Sequence, residues 1–227
     1  MKWVGIILLL FIVATGVFAQ QSETRQLGKF IGVRTGEAID VYLKKGDKES
    51  ARVEVDGVSL SDVETEVSGN MLRIHMRPGN YRGRHSVKVY VTYVDIARIS
   101  SSSASSIFTD GILKTSALEI SCASAGNVEL KVEAESVSID VASAGDVTLE
   151  GKAKRLTLEA STAGSVDAYN FECETVEATA ASGATVKIAV SKSLKAEASS
   201  GGSIRYRGNP SSTDTDSSSG GSVKKSS

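Results

Sequence analysis

The chain has 227 residues, with 26 Lys and Arg against 27 Asp and Glu, for a formal net charge of −1. That balance excludes a strongly basic nucleic-acid binder. Two cysteines and two prolines exclude a disulfide-stapled miniprotein and a collagen. Only twelve aromatic residues are present, three of them in the first 18 positions, so the core has to be built from Val, Ile, Leu and Ala.

The chain opens with Met1-Lys2, an apolar run from Trp3 to Val13, and Val17-Phe18-Ala19. A short positive segment, a hydrophobic stretch too short and interrupted for a membrane span, and small or β-branched residues at −3 and −1 form a secretory signal peptide over 1–19. Cleavage after Ala19 predicts an exported protein in the periplasm, on the cell surface or secreted, with no transmembrane span in the mature chain.

Residues 20–96 contain short alternating runs, such as Ile39-Asp40-Val41-Tyr42-Leu43, Leu72-Arg73-Ile74-His75-Met76 and Val87-Lys88-Val89-Tyr90-Val91. Gly46-Asp47 and Pro78-Gly79-Asn80 punctuate them as turns. They read as irregular coils that cap the region beyond residue 96, the alternative being a separate small β-domain.

From 97 to 208 the chain repeats. LEISCASAGNVELKV (118–132), VSIDVASAGDVTLEG (137–151), LTLEASTAGSVDAYN (156–170), VEATAASGATVKIAV (176–190) and LKAEASSGGSIRYRG (194–208) align without gaps, and an eroded copy occupies 97–111. Block starts are 21, 19, 19, 20 and 18 residues apart, so length varies only in the joining segments. Each block opens with period-2 alternation around Ala97, Leu118, Val137, Leu156, Val176 and Leu194, the mark of a strand with one buried face. A small-residue corner comes next at Ser103, Ser124, Ser143, Thr162, Ser182 and Ser200, and then a second strand. The corner hydroxyls are expected to bond the turn backbone. Gly126, Gly145, Gly164 and Gly202 mark a bend that a side chain would hinder. Copies that bury the same column stack in parallel, about 4.8 Å apart. The prediction is an all-β fold, a parallel β-helix or β-solenoid with coils of 19–20 residues. Its inward residues shrink from Ile120 and Ile139 to Ala178 and Ala196.

Residues 209–227 carry one apolar side chain, Val223, and are expected to be disordered. Cys122 and Cys173 fall at least two coils apart and are expected to be free buried thiols.

Phe30-Ile31-Gly32-Val33, Val89-Tyr90-Val91-Thr92, the ordered series of small-residue blocks and Tyr206-Arg207-Gly208-Asn209-Pro210 together resemble the head GIN domain family of putative auto-transporter adhesins. The resemblance covers about residues 28–210. It implies a right-handed β-helix in the envelope or outside the cell and brings no catalytic residues with it. A self-translocating chain needs a C-terminal membrane barrel, and the polar residues 209–227 offer none, so auto-transport is not expected.

Chemistry is sparse. Arg73, His75, Arg77, Arg82, Arg84 and Lys88 form the densest basic cluster, a candidate binding site for an anionic glycan or surface polymer. No catalytic residue, metal ligand or cofactor is implied. The expected function is a non-enzymatic envelope module, adhesin-like in its contact with a glycan or a surface protein. The alternative is a polysaccharide-degrading enzyme on the same scaffold, and three or more acids with a cation beside a groove would favour it.

Overall fold

The structure is a computed structural model that describes residues 21–226. The signal peptide expected at 1–19 lies outside the described residues. The strands are β1 (Gln21–Gln26), β2 (Gly32–Thr35), β3 (Asp40–Lys45), β4 (Ser50–Asp56), β5 (Val63–Ser68), β6 (Met71–Met76), β7 (Ser86–Tyr93) and β8 (Arg98–Ser101). Then come five long strands, β9 (Ser106–Cys122), β10 (Asn127–Val141), β11 (Asp146–Ala160), β12 (Ser165–Ala180) and β13 (Thr185–Ala198), and three short ones, β14 (Ser203–Arg207), β15 (Ser212–Ser217) and β16 (Ser222–Lys225).

Each long strand spans one coil from corner to corner and bends on the way. It leaves a corner along a second face, crosses a short third face, and enters the next corner along a first face. The stacking is parallel and in the register of the sequence blocks: Val128 lies beside Val147, which lies beside Val166, and Ile139 lies between Ile120 and Leu158. The result is a β-solenoid of about 7 turns. The inward column Ile99, Ile120, Ile139, Leu158, Ala178 and Ala196 is buried throughout, so the tapering core is real.

The corners take a form that the glycine pattern only partly foretold. Two consecutive residues sit in the left-handed region, and most are not glycine: Ser124 (φ 51°) with Ala125 (φ 59°), Ser143 (φ 50°) with Ala144 (φ 59°), Thr162 (φ 49°) with Ala163 (φ 60°). Such angles are uncommon for residues with a Cβ and cost energy that the neighbouring coils must offset. A ladder of backbone bonds does so. Ala104 N–H donates to the Ser124 carbonyl, Ala125 to Ser143, Ala144 to Thr162 and Ala163 to Ser182, at 3.0–3.1 Å. The corner is thus closed by main chain, where the sequence suggests hydroxyl bonding by this serine column. Gly145 is needed for close approach: a Cβ there would stand 2.6 Å from the Cys122 carbonyl oxygen of the preceding coil.

The N-terminal third, expected as irregular coils capping the solenoid, contains antiparallel strands as well as coils. β2 and β3 form a full coil on β8 and β9, with Glu37 (φ 60°) and Ala38 (φ 57°) in the corner. Stacked on its far side is a later segment, β6 and β7. Antiparallel strands then close the end, β5 on β6 and β4 on β7, with β1 outside β4. Period-2 alternation is the same for parallel and antiparallel partners, which is why the hairpins cannot be told from coils by pattern.

The tail corrects a second expectation. Residues 212–225 are ordered as one more coil, β15 on β13 and β16 on β14. Ser219 (φ 49°) and Gly220 (φ 79°) repeat the corner. The block TDTDSSSGGSVKK is a repeat whose inward column, Thr213, Thr215 and Ser217, is polar. Backbone bonds to the coil below, such as Ser218 N–H to the Ala198 carbonyl at 3.0 Å and Ser222 N–H to that of Gly202 at 2.9 Å, offset the chain entropy that its composition alone could not.

Candidate functional site

The third face is short, and its inward residues are small: Thr115, Ala134, Ala153, Cys173 and Val190 succeed one another in register across five coils. Small residues let the sheet dip, leaving a groove of about 1030 Å³ along the solenoid. Its walls are two columns of alternating sign. On one side Lys114, Glu133, Lys152 and Glu172 stand on successive coils. On the other come Glu135, Lys154, Glu174 and Lys192. Ion pairs run along the columns rather than across the groove: Lys114 to Glu133 at 3.0 Å, Lys154 to Glu135 at 2.8 Å and Lys192 to Glu174 at 2.7 Å. These ladders escape the block alignment because they lie in the joining segments, outside the aligned positions. Extending the alignment by four residues exposes them.

Four acids border this groove, so the count that would favour a hydrolytic site is reached. The electrostatics of three of them are wrong for it. The hydrogen bond and charge of Lys114 hold the Glu133 carboxyl below the usual range, those of Lys154 do the same for Glu135, and those of Lys192 for Glu174. A general acid working near neutrality needs a carboxyl shifted upward. Among the described residues no group of three or more His, Cys, Asp or Glu could hold a metal ion.

Cys173 lies under the groove floor, 3% exposed, and Cys122 is buried in the first-face column; both are free. Burial pushes the Cys173 thiol up to about 12 and the Cys122 thiol up to about 11. Neither is ionised to act as a nucleophile near neutral pH.

The basic cluster expected near the N-terminus is divided by the fold. Arg73, His75 and Arg77 share the outer side of β6, but β5 brings acids beside them. Glu64 meets Arg77 at 3.0 Å and His75 at 3.7 Å, and Glu66 is the strand partner of Arg73. Lys88 is on β7, on the other face, between Asp40 and Glu54. Arg82 and Arg84 sit exposed in the loop after β6. The structure adds Arg34, the neighbour of Arg73 across β2 and β6.

Outer acids on the first face are mostly compensated. Glu119 pairs with Arg98 at 3.1 Å, and Lys195 sits 3.1 Å from Glu177 and 3.2 Å from Glu197. Asp140 and Glu159 do stand beside each other, in keeping with the register of the blocks.

At the N-terminal end Tyr90, Tyr42 and Phe108 stack with centroids 5.1 and 5.2 Å apart, and Arg52 lies 4.5 Å over Tyr90. The rings cover one another's faces, so this is a stabilising ladder rather than an open platform for a sugar.

Among the described residues no helix is long and apolar enough to cross a membrane. Solved structures share the fold. A "putative adhesin" from Bacteroides fragilis superposes with a TM-score of 0.81 at 20% identity, over 91% of this chain and 97% of that one. A "putative lipid binding protein" from Parabacteroides distasonis gives 0.72 at 18%, over 92% and 97%. A "putative adhesin" from the same species gives 0.72 at 17%, over 93% and 98%. At these identities the likeness establishes the fold alone. Among curated proteins no relative matches. The family described as "Putative auto-transporter adhesin, head GIN domain" matches residues 29–210, most of the chain and all of its coils up to β14, and the chain belongs to that family.

Proposed function

We propose that the protein is an exported, non-enzymatic module of the cell envelope that holds an extended glycan or protein surface along its solenoid, as an adhesin would. The observation that carries this reading is the groove over Ala134, Ala153 and Cys173, which runs across five stacked coils. Most of its wall charges are already paired, so an occupant gains mainly by shape and by contact with the small-residue floor rather than by neutralising charge. Arg73, Arg82 and Arg84 make a secondary contact for an anionic partner.

The test is a screen of the chain from Gln20 onward against arrayed glycans and envelope proteins, alongside Ala134→Arg and Ala153→Arg variants that fill the groove. Binding to a polymer that both variants abolish is the expected result. Binding untouched by them, or no binding to any partner, overturns the reading. The four carboxylates give a second reading, hydrolysis of a polysaccharide, which predicts release of reducing ends from the bound polymer; contact alone leaves it intact.

A further inference from the structure

At the C-terminal end of the second face, three cations fall in one column. Lys187 on β13, Arg205 on β14 and Lys224 on β16 are consecutive partners in the parallel register. They therefore stand on successive coils, about 4.8 Å apart. Arg205 and Lys224 are exposed, and Lys187 is partly so. One acid enters the column, Asp167, bound to Lys187 at 2.9 Å. Arg207 extends the positive surface sideways. Its guanidinium lies 4.0 Å over the ring of Tyr169, whose hydroxyl is 2.7 Å from that of Ser226, so it is held in place.

This arrangement inverts that of the groove. There, at the same coil spacing, every lysine is answered by a glutamate on a neighbouring coil. Here like charges are stacked, which costs stability in the free protein. It also differs from the cluster near β6, where Glu64 and Glu66 intervene.

We propose that Lys187, Arg205 and Lys224, flanked by Arg207, bind an acidic polysaccharide that carries one carboxylate or sulfate per sugar, lying along the solenoid axis. The rise from coil to coil matches the advance of one pyranose ring in an extended chain, so successive acidic groups meet successive cations. The hydroxyls of Ser203 and Ser222, two positions before Arg205 and Lys224, sit on the same side of the sheet to receive sugar hydroxyls. A lipid surface is disfavoured. The large exposed apolar residues among those described are Ile31 and Ile112, and neither lies on this strip. The site is distinct from the groove apart from Arg207, and it stands or falls independently of the contact proposed there.

The experiment measures binding of the chain from Gln20 onward to polygalacturonate, dextran sulfate and neutral dextran, with anionic phosphatidylglycerol vesicles in parallel. The wild type is expected to bind both polyanions, to ignore neutral dextran, and to weaken steeply with salt. The triple variant Lys187→Ala, Arg205→Ala, Lys224→Ala is expected to bind at least tenfold more weakly. Arg73→Ala, Arg82→Ala, Arg84→Ala is expected to lose less. The charge-keeping Arg205→Lys, Lys224→Arg variant controls for folding and is expected to retain binding. No polyanion binding by the wild type, a triple variant that binds as well as the wild type, a larger loss at residues 73–84, or tighter binding to the vesicles than to either polymer overturns the proposal.

Discussion

The coil around Ile139 and the coil around Thr215 have the same path and opposite interiors. Both run first strand, left-handed corner, second strand, and both are held in parallel register with the coil before. The first encloses Ile139, Val141, Val147 and Leu149; the second places Thr213, Thr215 and Ser217 in the first-strand slots. The geometry of a coil is therefore set by corner and backbone ladder, while its stability is set by what fills it. A coil can be copied without a core as long as a filled one lies beneath it, and a polar terminal repeat is what a solenoid needs to end in water.

The sharpest test of that division is a pair of alanine variants. Ile139→Ala, which empties a closed apolar slot, is expected to cost about 2–5 kcal/mol in chemical denaturation. Thr215→Ala is expected to stay within about 0.5 kcal/mol, as for an exposed site. Leu194→Ala belongs between them, since Leu194 is 1% exposed but has only a polar coil above it. Equal costs at 139 and 215 would mean that filling does not matter. In hydrogen exchange the amides of 212–225 are expected to open first.

Corners can be attacked without touching the core. Gly145→Ala puts a Cβ against the Cys122 carbonyl and is expected to cost about 1–3 kcal/mol in thermal or denaturant unfolding, comparable with overpacking elsewhere. If it is neutral, the close approach of neighbouring coils is not what demands glycine.

Alkaline pH probes the buried thiols. Their pKa is raised on folding, so their contribution is fully present below the unfolded thiol value of about 8.5 and is lost as pH climbs through the folded values of about 11 and 12. Cys122→Ala, Cys173→Ala is expected to flatten the alkaline arm of the stability curve. In the wild type, alkylation by iodoacetamide at neutral pH should wait for unfolding.

The smallest effect belongs to the groove walls. Lys154→Ala removes an exposed pair and should produce a shift in stability that disappears in high salt. Because Glu133, Glu135 and Glu174 have lowered pKa values, their contribution is present above the ordinary carboxylate range and is lost as pH falls through their folded values. Acid sensitivity that survives in a Glu133→Gln, Glu135→Gln, Glu174→Gln variant would place its origin elsewhere.

The part of the fold legible in the sequence is whatever apolar periodicity writes. The column Leu118, Val137, Leu156, Val176 and Leu194 shows which residues face inward and that the copies stack. The tail hides because its inward slots are Thr and Ser, and only its corner, SSSGGS, betrays it. The coil of β2 and β3 hides because Glu37-Ala38-Ile39 takes the place of Ser-Ala-Gly with other side chains. The groove depends on residues whose inward slots are small and whose charges alternate only when segments 18 to 20 apart are compared, a signal that lies in no single block.

The coil of β2 and β3 is flanked on one side by β6 and β7 and on the other by β8 and β9, all later in the chain. A chain that emerges N-terminus first presents Val33, Val41 and Leu43 long before either neighbour exists. Those residues must wait, unpaired, until the chain has reached residue 93 for the first neighbour and residue 110 for the second. From there each new coil can add directly to a finished one. Assembly thus begins with a delay and a closure over long sequence separation, the slow kind of step, and then proceeds as growth on a template.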